Sequence, residues 1–153
     1  MQNPSTISPT IAIVVFPLFF LTIWCGVCFV LSRVSGWNLL STRFRTDSPF
    51  SGETWVWQSA RMRWFCNYNH CLTFGSDRSG LYMAIMFIFR LGSPPLLIPW
   101  PEVTIGRRRT VLFFPFVELR IGREEGVPLL LSARLAESLR SAAGPSWPIE
   151  PVC

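Results

Sequence analysis

Two groups of arginines are the side chains in this sequence best suited to bind a charged ligand. Arg107, Arg108 and Arg109 form the densest basic run of the chain, and Arg61 and Arg63 stand close together before it. A guanidinium group can donate two parallel hydrogen bonds to a phosphate or a carboxylate. These five arginines are therefore candidate contacts for an anionic lipid headgroup or a protein partner. The alternative for the run of three is a solvated hairpin loop.

The composition limits what the arginines imply. All 14 basic residues are arginine, none is lysine, and the formal net charge is +5. A biased genomic base composition also replaces lysine by arginine, and the arginines here are scattered along the chain. Arg61 and Arg63 adjoin Trp64 and Phe65, a mixture found on lipid-binding and nucleic-acid-binding surfaces. A strand edge beside a hydrophobic core has the same pattern, and we expect no nucleic-acid partner.

The cysteines and the single histidine are the residues that could hold a metal. Cys25 and Cys28 have the spacing of a redox pair, but they lie in an apolar run where cysteine behaves as a small hydrophobic residue. Cys66, His70 and Cys71 offer three ligands, whereas a structural zinc site needs four. We therefore predict no metal site and no cofactor.

Motifs of the common enzyme classes are missing from the sequence. It contains no Gly-rich phosphate-binding loop, no G-x-S-x-G turn and no H-E-x-x-H helix. Nothing places an acidic residue beside His70, and the paired carboxylates Glu124 and Glu125 stand between glycines, as in a solvated turn. We therefore expect a non-catalytic protein without catalytic residues.

An uncharged N-terminal segment is the first element that must position the arginines. Residues 1–32 contain no charged side chain, and residues 10–32 are almost entirely apolar. At 1.5 Å per residue, residues 10–31 span about 33 Å, which matches the hydrocarbon core of a bilayer. We predict a transmembrane helix over 10–32, bent mildly at Pro17, after a short tail over 1–9. A cleaved signal peptide and a buried soluble helix are the alternatives, but the first residues are not basic and the apolar run is long.

The basic residues around the helix predict its orientation. Arg33, Arg43 and Arg45 follow the apolar run, and no basic side chain precedes it. The positive-inside rule then predicts a single-pass protein of the plasma (inner) membrane with its C-terminal domain in the cytoplasm. Free thiols are expected there, whereas a disulfide between Cys66 and Cys71 becomes possible if the domain lies outside.

Residues 33–52 are predicted to connect the membrane helix to the following domain. Trp37, Leu40 and Phe44 are spaced by three and four residues, which favours a short interfacial helix over 36–44. Trp37, just past Arg33, suits the aromatic belt at the membrane interface.

Residues 53–143 have the pattern of a β domain with a closing helix. Short apolar runs and turn residues predict about seven strands, among them 81–89, 110–114 and 116–121. Ser132 is a suitable N-cap for an amphipathic helix that ends before Gly144-Pro145, and 144–153 is predicted to be a flexible tail. A single helix can cover the open end of a curled antiparallel sheet. We predict a mainly β fold, a pleckstrin-homology-like (PH-like) antiparallel β-barrel closed by a C-terminal helix.

One stretch resembles known proteins. CLTFGSDRSGLYMAIMFIF followed by PPLLIPWPEVTI is similar to small bacterial single-pass membrane proteins without an assigned activity and, more loosely, to GRAM and bacterial PH-like domains. In those domains a Gly-Leu pair starts a strand, and a Pro-Leu-Leu-Ile-Pro-Trp segment leads into the next. The resemblance spans about 36–143 and implies the PH-like fold, but its motifs are structural.

These observations together favour a membrane-tethered binding or scaffolding module. The lipid bilayer is the partner of residues 10–32, and a protein or an anionic lipid headgroup is the expected ligand of the domain. The alternatives are an accessory subunit of a larger membrane complex and a small enzyme.

Overall fold

The N-terminal apolar run forms one long helix. The computed structural model describes residues 8–63 and 66–149, so most of the predicted N-terminal tail, Trp64, Phe65 and the end of the predicted C-terminal tail lie outside the described residues. Helix α1 spans Pro9–Val34. Within the described ranges it is the one helix long and apolar enough to cross a membrane, and 6% of its most apolar window is buried. The predicted long apolar helix is therefore confirmed, and it is not a core helix of the domain.

Helix α2, Trp37–Phe44, joins α1 to the sheet. The predicted short helix is present, but Trp37, Leu40 and Phe44 are buried. The Trp37 side chain is 0% exposed, and its indole Nε1 donates a hydrogen bond to Pro94 O at 2.9 Å. The assignment of Trp37 to the interfacial belt is therefore wrong, because the apolar face of α2 completes the core of the β domain.

Seven antiparallel strands form a single sheet. They are β1 Glu53–Met62, β2 Cys66–Ser76, β3 Gly80–Ile85, β4 Leu96–Pro99, β5 Val103–Val111, β6 Phe114–Ile121 and β7 Val127–Ser132. Their order across the sheet is β4-β3-β2-β1-β7-β6-β5. Two meanders, β1 to β4 and β5 to β7, are thus joined by the pairing of β1 with β7.

The sheet curls into a half-barrel around one core. Register shifts between Trp55 and Gln58 and between Gln58 and Ala60 mark bulges in the β1–β2 pair, which increase the local bend. Strands β4 and β5 are the two edges, and no ladder joins them within the described part of the chain. Helix α3, Ala133–Ala143, buries Leu135, Ala136, Leu139 and Ala143 against the inner face. The predicted β domain with a C-terminal helix is confirmed at this level.

The basic run lies in a strand instead of a loop. Residues Arg107–Arg109 belong to β5, where Arg108 pairs with Val117 and Arg109 with Phe116. A bulge after Ile105 allows the strand to continue through these residues. The hairpin-loop alternative for the run is therefore wrong.

Two predicted strands also end earlier than expected. The apolar run over 81–89 leaves the sheet after Ile85 and forms a short 3₁₀ turn at Phe87–Phe89. The predicted strand over 110–114 contains a chain reversal, since Val111 pairs with Phe114 across a two-residue turn. Periodicity cannot separate a continuous apolar strand from a hairpin whose turn is itself apolar.

The cap of α3 provides a test of the closing helix. Ser132 Oγ accepts a hydrogen bond from the Leu135 N–H at 3.3 Å, as the sequence predicts for an N-cap. We expect Ser132→Ala to lower the free energy of unfolding by about 1 kcal/mol, because one N–H of the first turn loses its acceptor. Denaturant unfolding in detergent measures this. Ser138→Ala, in the middle of the same helix, should change stability less, and equal effects would contradict the capping role.

The turn between β2 and β3 makes the free energy of unfolding depend on pH in the acidic range. Asp77 Oδ1 accepts hydrogen bonds from the N–H groups of Ser79 at 2.7 Å and of Gly80 at 3.0 Å. Burial raises the pKa of Asp77, but these bonds and that from the Ser79 hydroxyl outweigh it and lower the pKa below its ordinary value. The stabilisation is complete above a pH of about 3.9 and is lost as the pH falls through the lower pKa of the folded state. Unfolding curves of Asp77→Asn should lack this acid-dependent loss; an identical pH profile in both proteins would refute it.

Candidate anion-binding site

Strand alternation places arginines on the outer face of the sheet. Arg61 faces outward from β1 because its neighbours Ala60 and Met62 are buried in the core, and Arg63, which follows β1 directly, is also exposed. Arg120 faces outward from β6 for the same reason. The three side chains thus lie on one surface, on two strands far apart in the sequence.

Strand β7 forms a low floor between these arginines. Leu130 pairs with Arg61 on one side and with Glu118 on the other. Next to it, Pro128 O accepts a hydrogen bond from the Arg63 N–H at 2.9 Å. Since β1 and β6 are separated by two strand spacings, about 10 Å, arginines from both walls can reach one phosphate above the floor. We call this surface the arginine trough.

One carboxylate lies inside the arginine trough. Glu118 forms ion pairs with the Nε atoms of Arg109 and Arg120, each at 3.5 Å, and its side chain is 13% exposed. These contacts hold two guanidinium groups in place and leave other N–H groups free to point outward. Arg61 and Arg63 have no carboxylate partner within residues 8–63 and 66–149. Four arginines therefore face one glutamate, and the trough is strongly positive.

The size of the arginine trough suits a small anionic group. Its volume is about 370 Å³. The lining combines the charged walls with an apolar floor and consists of Arg61, Arg63, Arg109, Glu118, Arg120, Gly126, Pro128 and Leu130. Specific ligand pockets generally have volumes of this order and a few converging polar groups. The arrangement can bind and orient an anion.

The arginine trough is connected directly to α1. Arg63 Nη1 donates a hydrogen bond to Val34 O, the last carbonyl of α1, at 3.2 Å. Gly36 lies so close to the same arginine that a Cβ there would stand 3.2 Å from Arg63 Nε. One end of the trough is thus fixed to the end of the long apolar helix.

The structure brings together three of the five predicted arginines. Arg61, Arg63 and Arg109 line the trough. Arg107 is exposed on β5 and is not part of the lining. Arg108 points to the other face of β5, where it lines a small groove with Glu137 and Arg140 of α3, and it therefore cannot act together with the other arginines.

Sequence reasoning missed Arg120 and Glu118 as parts of this site. The alternation of β6 already predicted that both side chains face outward. The sequence did not show which strands are adjacent in the sheet, because β1 and β7 are far apart in the sequence and their pairing leaves no local pattern. If the first and last strands of the domain are assumed to pair, Arg120 and Glu118 are predicted to lie near Arg61.

A second cavity lies between α1 and the sheet. It has a volume of about 360 Å³ and is lined mainly by apolar atoms, with Cys28 of α1 on one side and Cys66, Tyr68 and Cys71 of β2 on the other. Burial raises the pKa of the Cys66 and Cys71 thiols, which therefore stay protonated and weakly nucleophilic at neutral pH. Burial also raises the pKa of Tyr68, with the nearby Ser35 hydroxyl acting in the opposite direction.

The remaining candidates for chemistry do not assemble into a site. His70 is exposed in the β1–β2 bulge, where its backbone N–H donates to Ser59 Oγ at 3.0 Å. In the part of the chain that the structure describes, no three His, Cys, Asp or Glu side chains are arranged to hold a metal. Glu125 is 11% exposed and contacts Arg43 at 3.2 Å, so the interpretation of this carboxylate as a solvated turn residue is wrong.

Comparison with known proteins completes this description. No family model, curated protein or solved structure matches the chain. The resemblance to PH-like domains therefore rests on the sequence motifs, and the arginine trough must be interpreted from its own geometry.

Proposed function

We propose that this chain is a membrane-tethered, non-catalytic binding module whose arginine trough recognises the phosphate of an anionic lipid headgroup. The observation that carries the proposal is the convergence of Arg61, Arg63, Arg109 and Arg120 on one face with a single carboxylate among them. Guanidinium groups are suited to phosphate because they donate paired hydrogen bonds in a plane.

The position of the trough favours a lipid over a soluble anion. Helix α1 crosses the bilayer in this proposal, and the domain lies on the cytoplasmic side of the inner membrane as the positive-inside rule predicts. Arg63 holds the end of α1, so the trough stays close to the membrane surface at all times. The tether supplies a high local concentration of headgroups, and even a weak site is then occupied.

The fold supports the same type of role. Two β meanders followed by one helix on the inner face are the arrangement expected for a PH-like domain. We include the PH-like assignment in the proposal. A protein segment rich in aspartate or glutamate is the other class of ligand that such a trough could hold, and binding data distinguish the two.

Soluble short-chain lipids test this proposal on the full chain in neutral detergent. We expect saturable binding of dihexanoyl phosphatidylglycerol, much weaker binding of glycerol phosphate and inorganic phosphate, and none of dihexanoyl phosphatidylcholine. Equal binding of free phosphate and the lipid would mean that the site recognises a soluble anion. If no phosphate compound binds, lipid recognition is refuted, and an acidic protein segment becomes the ligand to search for.

A further inference from the structure

Three exposed apolar protrusions stand out on the β domain. They are the 3₁₀ turn segment with Phe87, Ile88 and Leu91, the β1 bulge with Val56 and Trp57, and the β5–β6 tip with Leu112, Phe113 and Phe114. Phe87 is 84% exposed and Phe113 is 95% exposed. Exposed apolar groups clustered in this way are typical of sites that contact a membrane or another protein.

The 3₁₀ turn segment lies against the apolar part of α1. Trp24 Nε1 donates a hydrogen bond to Ile88 O at 3.4 Å, and the rings of Trp24 and Phe89 are 5.2 Å apart. At 1.5 Å per residue, Trp24 is about 15 Å along α1 from its end at Val34, towards the middle of the apolar run. Phe87 and Ile88 are thus at the level at which α1 itself is apolar on all sides.

The other two protrusions are linked to the 3₁₀ turn segment through neighbouring strands, along one row across the sheet. The Met86 N–H donates to Cys71 O at 2.8 Å, and Leu72, the next residue of β2, pairs with Gln58, which follows Trp57. The β1 bulge is therefore next to the start of the 3₁₀ turn segment. Val111, at the base of the tip, lines a cavity together with Ser59 of β1 and Asn69 of β2.

The turn at the start of β3 provides a contrast. The turn at Asp77–Gly80 lies at the other end of β3 from the 3₁₀ turn segment, about 17 Å away. There Trp100 is buried, donates to Asp77 O at 2.7 Å, and packs against Trp147 with ring centres 5.2 Å apart. Large aromatic side chains are covered beside this turn and uncovered in the three protrusions.

The backbone of the tip adds to this contrast. Leu112 and Phe113 form a two-residue turn with φ of 49° and 73°. Asn-Gly or Gly-Gly is the usual choice for such a turn, because β-carbons disfavour positive φ. Here the chain carries two large apolar side chains at positions where glycine would suit the backbone better, and it leaves both in solvent.

We propose that the three protrusions insert into the bilayer interface beside α1, as a second membrane contact of the β domain. The bilayer is the occupant because the 3₁₀ turn segment is continuous with the apolar surface of α1. Arg90 stands within the 3₁₀ turn segment and Arg109 precedes the tip in the sequence, and arginines next to apolar protrusions are suited to interact with lipid phosphates. This inference depends on α1 being in the membrane and does not depend on the arginine trough binding a headgroup.

Photolabelling of the full chain in neutral phosphatidylcholine vesicles tests the insertion without engaging the trough. A lipid with a diazirine in its acyl chain is activated, and labelled residues are located by peptide mass spectrometry. We expect labels on α1, on 87–91 and on 112–114, and none on 77–80 or 145–149. Labelling confined to α1 would overturn the proposal, as would an unlabelled α1.

A variant of the tip separates insertion from folding. Leu112→Asn with Phe113→Gly gives the turn its favoured residues and removes the apolar side chains. We expect this variant to fold, to lose acyl-chain labelling at the tip, and to keep it at 87–91. Unchanged labelling of residues around 112 would contradict insertion of the tip. If the tip carries no lipid label and a separate bifunctional crosslinker joins two chains through it, the surface joins two copies of the chain and the proposal is overturned.

Discussion

Replacing Trp37 by alanine lowers the free energy of unfolding by about 3–5 kcal/mol, the range for buried tryptophan truncations. The side chain is 0% exposed, packs near Tyr68 in the core and donates to Pro94 O at 2.9 Å. The change creates a cavity and leaves a carbonyl without its donor. Since a domain of this size is stable by about 5–15 kcal/mol, the loss is a large part of the total. Denaturant unfolding of the full chain in detergent measures it.

Two variants separate the contributions to this effect. Trp37→Phe keeps most of the packing and removes the hydrogen bond to Pro94, which should cost less than the alanine change. Trp57→Ala makes the matched change at a side chain that is 62% exposed, and in detergent we expect a loss below about 1 kcal/mol. If Trp37→Ala were no more costly than Trp57→Ala, α2 would not be part of the core.

The second large effect concerns the affinity of the arginine trough. Arg61→Ala and Arg120→Ala should each weaken binding of dihexanoyl phosphatidylglycerol about fivefold, since one arginine near an anionic group contributes about 1 kcal/mol. The two residues lie on opposite walls. If they contact the same phosphate, the double variant deviates from additivity by at least about 0.5 kcal/mol. A titration of the full chain and the three variants in neutral detergent gives both numbers.

Two control variants separate binding at the arginine trough from an effect of net charge. Arg107→Ala removes the same charge from β5 outside the trough and should leave the affinity nearly unchanged. Glu118→Gln removes the carboxylate that occupies Arg109 and Arg120, and it should tighten anion binding. High salt should weaken binding in all variants, because screening shortens the reach of each charge. If Arg107→Ala matched Arg61→Ala, the effect would come from net charge and not from the site.

The elements that the sequence predicted well are those with a strong local signal. The uncharged run gives α1, and Ser132 with the spaced apolar residues gives α3. The spacing of Trp37, Leu40 and Phe44 gives α2 as well. The same pattern could not show what covers the apolar face, because a membrane interface and a protein core both select large apolar side chains.

The β hairpins show a different limit. Leu112 and Phe113 form the turn between β5 and β6 although neither is a usual turn residue. The sequence pattern therefore predicts a strand through these two residues and a hairpin loop at Gly106, several residues before the turn that the structure has. Apolar residues at this turn are explained if the tip contacts lipid. Local turn propensities do not take such a contact into account.

The site could be predicted only in part because it depends on strand order. Arg61 and Arg63 form a local pair, and Arg109 belongs to the conspicuous basic run. Arg120 looks ordinary in the sequence and joins them only because β7 lies between β1 and β6. Alternation within β5 separates Arg108 from Arg109, since successive residues of one strand face opposite sides of a sheet.

Native mass spectrometry of the full chain tests lipid recognition by the arginine trough most directly. The protein is released from vesicles that contain equal amounts of phosphatidylglycerol and phosphatidylcholine, and the lipids retained on each molecule are identified. We predict that the wild-type chain and Arg107→Ala retain one anionic lipid in preference to the neutral one, and that Arg61→Ala/Arg120→Ala loses this preference. Equal retention of both lipids by the wild type, or an unchanged preference in the double variant, would contradict recognition of an anionic headgroup by the trough.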